Sequence, residues 1–193
     1  MTPLRTLLAL LCVVALTGLA ACGQEEQEAG ELATENAQVA ETEGLYVDVD
    51  ELKYQVQISR QLNPLIRADR DYFEGISRFE RDLASDEVWF GLWMCVENDA
   101  DHPIPNAQDF EIHDTQENIY RPLQIGRSNP WAYRPAVVQP QKLYPASETP
   151  ASERQPNGAL LLFKVRRFSL DNRPLELVIK GESGGEAIIN LDV

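Results

Sequence analysis

The chain has 193 residues, with 31 acidic against 17 basic side chains and a formal net charge of −14. No basic stripe interleaved with aromatics appears, so this balance argues against nucleic-acid binding and against docking of the domain on an anionic membrane. Length and an apolar fraction of 44% suit one domain with a sizeable core, and a second domain is not expected.

The chain opens with a short segment carrying one positive charge, Arg5, followed over residues 6–16 by an apolar run too short to span a bilayer as a permanent helix. Residues 17–21 then narrow to small side chains, ending in Leu19-Ala20-Ala21-Cys22. This stretch resembles the lipobox of bacterial lipoprotein precursors. The resemblance implies a signal peptide over residues 1–21, cleavage before Cys22, lipidation of Cys22 and acylation of its new amine. Two or three acyl chains would hold the protein stably on the extracytoplasmic side of a cell-envelope membrane, where one would hold it only marginally.

On that reading Cys12 leaves with the signal and Cys22 carries lipid, so Cys95 alone remains and no intramolecular disulfide forms. The domain must then be held by its core. Residues 22–44 hold seven glutamates (Glu25, Glu26, Glu28, Glu31, Glu35, Glu41 and Glu43), no basic residue and no aromatic. Such a segment buries too little apolar surface to offset its ordering entropy, which predicts an acidic, disordered tether. At full stretch it reaches about 70 Å at ~3.3 Å per residue, and its like charges favour extension.

Strand signals dominate residues 45–193. Leu52, Tyr54, Val56 and Ile58 alternate with polar residues, the period of a half-buried strand. Residues 62–86 are polar and turn-rich, with a helical turn expected over 69–73. Residues 88–96 are apolar on both faces and predict the central strand. Phe110 and Ile112 start another strand, residues 114–118 a hairpin turn, and residues 119–123 the return. Residues 159–167 and 175–179 read as a further hairpin-like pair about the turn 171–174, and residues 187–193 close the sheet after a turn at 181–185. Between them, residues 124–157 carry six prolines, which predicts a long extended excursion over the surface. The sum is an all-β, immunoglobulin-like β-sandwich of about seven strands.

A second resemblance rests on Tyr54-Gln55-Val56-Gln57-Ile58-Ser59-Arg60-Gln61-Leu62-Asn63-Pro64, then Trp89-Phe90-Gly91 leading to Val96-Glu97-Asn98, then Asp109-Phe110. With Arg173-Pro174-Leu175-Glu176-Leu177 and Leu191-Asp192, these residues look like secreted bacterial lipoproteins with telokin-like, immunoglobulin-like domains of unknown function. The resemblance implies the fold and brings no catalytic residue with it.

Catalytic chemistry is poorly supplied. His102 and His113 are the two histidines, and Ser59, Ser77 and Ser85 lack a Gly-x-Ser-x-Gly elbow, so an enzyme is not expected and no cofactor is implied. Met94, Cys95, His102 and His113 contain the ligand types of a blue-copper site, but Met94 and Cys95 are adjacent on a strand and point to opposite faces. Asp99, Asp101 and Asp109 offer hard ligands for calcium around one loop, with solvated turn aspartates as the alternative. A metal-binding cell-envelope protein is therefore the second functional reading. The first is a surface interaction or structural module. Trp131, Tyr133, Arg134 and Tyr144, on the proline-rich excursion, are residue types enriched at hot spots and form the expected contact set for a protein or cell-wall partner. The competing role for Trp131 and Tyr133 is to fold back and plug the end of the sandwich.

Overall fold

A computed structural model describes residues 37–192. The expected signal peptide, Cys22 and the greater part of the acidic linker lie outside the described residues. In chain order the strands are β1 (Gln38–Ala40), β2 (Tyr46–Val49), β3 (Leu52–Leu62), β4 (Glu87–Asn98), β5 (Ile104–Pro105), β6 (Asp109–His113), β7 (Ile119–Tyr120), β8 (Val137–Val138), β9 (Lys142–Tyr144), β10 (Ala159–Arg166), β11 (Leu175–Lys180) and β12 (Glu186–Leu191). A single helical turn, α1 (Pro150–Glu153), falls between β9 and β10, and 3₁₀ turns occupy Arg70–Phe73 and Arg167–Leu170.

Two five-stranded sheets form an all-β sandwich, as expected. One runs β1-β12-β11-β6-β7. The other runs β10-β4-β3-β2, with β9 taking up the pairing of β4 where β10 ends, and β5 and β8 make a separate two-stranded ribbon. All pairings are antiparallel except β1 with β12. Residues 159–167 and 175–179 are not partners: β10 pairs with β4 in one sheet and β11 with β12 and β6 in the other, so the turn between them carries the chain across the sandwich. The return strand after the 114–118 turn is short, with only Ile119–Tyr120 paired to β6.

The folded part also starts before Leu45. Ala40 is buried in the main core, and Glu43 accepts the N–H of Ser59 at 2.9 Å and that of Asp192 at 3.1 Å. Residues 38–44 therefore belong to the sandwich rather than to a tether, because one apolar side chain and one carboxylate find partners on neighbouring strands. Burial pushes the Glu43 carboxyl above its ordinary value.

Two clusters make up the core. The larger fills the space between the sheets, with Tyr54 and Val56 from β3, Phe90, Leu92 and Met94 from β4, Phe163 from β10, Ile179 from β11 and Ile189 from β12. The alternation of β4 turns its odd residues outward, where Trp89 and Trp93 join Leu160 and Leu162 of β10 in a second cluster. That outer face is buried because residues 63–86 and 123–132 lie over it and contribute Tyr72, Ile76, Ile125 and Ala132. The apolar run 88–96 thus has both faces covered, by opposite layers.

A β-bulge separates Val56, opposite Met94, from Ile58, opposite Trp93. One extra residue in the strand swaps faces. Ile58 consequently leaves the inner face predicted for it, and Leu62 packs on the outer cluster.

Candidate functional site

The cover over the outer face of β4 is built from short turns. The Asn63 side chain accepts the Leu65 N–H at 2.9 Å, and the Asn63 carbonyl accepts the Ile66 N–H at 2.9 Å. This tight geometry throws Leu65 and Ile66 outward, 85% and 52% exposed. The buried Asp69 carboxylate holds the turn from beneath, accepting Arg60 at 2.6 Å and the Asn63 N–H at 3.0 Å. Burial alone would raise its carboxyl, yet these donors hold it below the ordinary value.

The 3₁₀ turn then drives two rings inward. Tyr72 meets Trp93 edge to face at 5.1 Å, and Phe73 meets Trp89 likewise at 5.2 Å. A second surface turn, closed by the Glu80 N–H on the Ser77 carbonyl at 2.9 Å, leaves Phe79 81% exposed under the Arg78 guanidinium.

Between these turns lies a cleft of about 320 Å³ lined by Pro64, Arg70, Phe73, Glu74, Arg81 and Trp89. Its wall is apolar, from Trp89, Phe73 and Pro64. Its charged members are two arginines and one glutamate. Arg70 has no ion-pair partner among the described residues, and Arg81 has only an Nε–H directed at the Ile76 carbonyl, 3.4 Å away. Lys164 is already engaged, lying 5.3 Å from the Trp89 ring centre and donating to the Asp82 carbonyl at 2.7 Å. The cover over β4 thus carries exposed apolar side chains and a cleft whose two arginines make no ion pair among the described residues.

The residues singled out from sequence do different work. Tyr133 is only 9% exposed; its ring packs on Phe110 and on Tyr144, and its hydroxyl donates to the Ala107 carbonyl at 3.0 Å. Tyr54 accepts the Ala107 N–H at 2.7 Å, and its burial pushes the phenol up to about 12. Trp131 packs against Tyr72 at 5.8 Å with the Arg154 guanidinium over its ring. Arg134 donates to the carbonyls of Ile125, Gly126 and Asn129, and its own N–H reaches the Tyr144 hydroxyl at 2.6 Å. Trp131, Tyr133, Arg134 and Tyr144 therefore do not form an exposed contact patch. They fasten residues 124–157 to the sandwich, because that segment brings its own apolar side chains and backbone partners.

The metal candidates are not assembled. Asp99 pairs with Lys53 at 2.5 Å, Asp101 lies 3.2 Å from His102, and Asp109 stands on β6 opposite Lys180 of β11. Among the described residues no three His, Cys, Asp or Glu side chains form a group that could hold a metal ion. His113 is committed to Glu111 at 3.0 Å. Cys95 is half-buried, and burial pushes its thiol up to about 11, which keeps it protonated at neutral pH.

The cleft residues were not singled out from sequence. Arg67, Arg70, Arg78 and Arg81 are interspersed along the chain with Asp69, Asp71, Glu74, Glu80, Asp82 and Asp86, so charge composition does not mark this segment out. Their convergence depends on the turns, which composition alone does not fix.

No protein-family model matches the chain, and no curated protein matches it. Among solved structures it is similar to the yjhA protein from Bacillus subtilis, at 10% identity and a TM-score of 0.46 over 79% of this chain and 99% of that one. It is also similar to an uncharacterized beta-sandwich protein from Clostridium difficile 630, at 8% identity and a TM-score of 0.36 over 83% of this chain and 99% of that one. A conserved hypothetical protein from Bacillus anthracis is a third, at 9% identity and a TM-score of 0.41 over 74% of this chain and 91% of that one. The fold assignment rests on the strand pairing within this chain.

Proposed function

We propose that the protein is a lipid-anchored, extracytoplasmic lipoprotein whose β-sandwich is an interaction module, with Cys22 as the acylated residue and the surface over residues 63–86 as the binding face. The anchor is supported by the Leu19-Ala20-Ala21-Cys22 box. The binding role is supported by one observation above all. Leu65, Ile66 and Phe79 stand exposed on the same cover that holds the arginine-bearing cleft over Trp89. Burying large apolar side chains of this kind on a partner contributes about 1.5–3 kcal/mol each, which favours presenting them to a ligand over leaving them in water.

Two experiments test the two halves. Cells expressing the wild-type chain and fed an alkyne fatty acid should yield a labelled protein, and Cys22→Ser should abolish the label; an unlabelled wild type removes the anchor. A photo-crosslinking residue at Phe79 should give a discrete adduct on the native envelope, whereas one at Glu117, in the hairpin turn after β6, should not. Equal results at the two positions would remove the binding face.

A further inference from the structure

We infer that the cleft between Arg70 and Arg81 binds an apolar peptide segment bearing a carboxylate, a Glu or Asp side chain or a chain terminus beside a leucine or an aromatic residue. This inference rests on the interaction reading and names the chemistry of the partner.

The charge pattern carries it first. With 31 acidic and 17 basic side chains, the chain has carboxylates to spare, and Arg60, Arg121, Arg154 and Arg166 each pair with one. Arg70 and Arg81 pair with none among the described residues, though both line the same cleft. A guanidinium presents a planar fork of donors that matches a carboxylate, and Arg81 directs Nε at the Ile76 carbonyl while its terminal amino groups meet no partner among the described residues.

The wall decides what accompanies the carboxylate. Trp89, Phe73 and Pro64 supply apolar surface, and about 320 Å³ is at the small end of ligand sites, room for two or three peptide residues. A purely apolar occupant would cover the two guanidinium groups without pairing them, which is costly. A phosphate dianion would meet the Glu74 carboxylate in the same lining. A peptide reconciles these demands, since Glu74 can accept a backbone N–H while the arginines take a single negative charge.

Calorimetry on the full chain in detergent tests this with three peptides. The first is a capped hexapeptide with one glutamate between leucine and phenylalanine. The second carries glutamine in its place. The third is the glutamine peptide with a free C-terminal carboxylate. The first should bind about tenfold or more tightly than the second, as a charge-assisted pair requires. Binding by the third would identify a chain terminus as an equally good source of the carboxylate. Arg70→Gln with Arg81→Gln should erase the advantage of the charged peptides and leave the thermal midpoint unchanged, because both side chains are exposed. Equal binding of the glutamate and glutamine peptides, indifference to the double substitution, or no binding at all would overturn the proposal. If no peptide binds but the adduct at Phe79 persists, the ligand chemistry falls and the interaction face stands; if the adduct is missing too, both fall.

Discussion

The Asn129 side chain donates to the Tyr72 carbonyl at 2.9 Å, and this contact joins the two segments that cover the outer face of β4. The same amide donates to the Glu74 carbonyl at 3.0 Å, and its oxygen accepts the N–H of Trp131 at 2.9 Å and of Ala132 at 3.1 Å. All the polar capacity of a side chain 2% exposed is therefore used across the seam. Asn129→Ala would leave two carbonyls and two N–H groups without these partners, at about 1–3 kcal/mol for each that stays buried. A loss of at least about 2 kcal/mol in urea unfolding is expected. A change under about 0.5 kcal/mol would show that the seam does not hold the cover.

The seam is also a close backbone crossing. Gly126 donates its N–H to the Gly75 carbonyl at 2.8 Å, and a Cβ on Gly75 would stand 2.8 Å from the Gly126 oxygen. Gly75 has φ +72°, so an alanine there meets both a backbone clash and left-handed strain. Gly184, with φ +93° and open space around it, meets the strain alone. Gly75→Ala should therefore destabilise by at least about 2 kcal/mol and Gly184→Ala by about 1 kcal/mol. Matching denaturation midpoints for the two variants would show that the crossing contributes nothing.

What could be read in advance follows from the range over which each signal acts. The period of Leu52 to Val56 and the two-sided apolar run of β4 are local, and both elements form where the pattern puts them. The bulge after Val56 is one residue long and leaves no compositional mark, yet it moves Ile58 to the other face. Likewise, the turn after residue 170 looks like a hairpin because Asn172 and Pro174 are turn residues, but whether a turn closes one sheet or crosses to the other depends on partners distant in sequence. The same limit governs the binding candidates. Tyr133 and Arg70 are both polar-tipped residues in turn-rich segments; only packing sends one into the core, and only turn geometry sets the other at the rim of a cleft.

The proline-rich segment should behave as core. Tyr133 fills the space between Phe110 and Tyr144, so Tyr133→Ala should cost about 3–5 kcal/mol, as truncation of a buried aromatic does. Tyr133→Phe removes the hydroxyl, which donates to the Ala107 carbonyl and also contacts Tyr54 and Asn106, and should cost about 1–2 kcal/mol. Circular dichroism in urea separates the two. An alanine variant as stable as the wild type would return Tyr133 to the list of surface contacts.

Acid sensitivity should centre on Glu111. On the outward face of β6, its carboxylate pairs with Lys180 at 2.9 Å, lies 3.0 Å from His113 Nε2 and also contacts Arg121, with its own side chain 4% exposed. The Lys180 ammonium is the main cause of a carboxyl lowered from 4.5 to about 2, with burial opposing it and His113 and Arg121 assisting. A carboxylate depressed in the folded state contributes its stability above the unfolded value near 4.5 and loses it as pH falls toward 2. Both partners are partly exposed, so that contribution is on the order of 2 kcal/mol rather than the full shift. Glu111→Gln should therefore be less stable than the wild type by about that amount at pH 7, and the two stability curves should converge between pH 4.5 and 2. A constant gap across that window would mean that the neutral acid holds Lys180 as well as the carboxylate does, and that acid unfolding starts at another group.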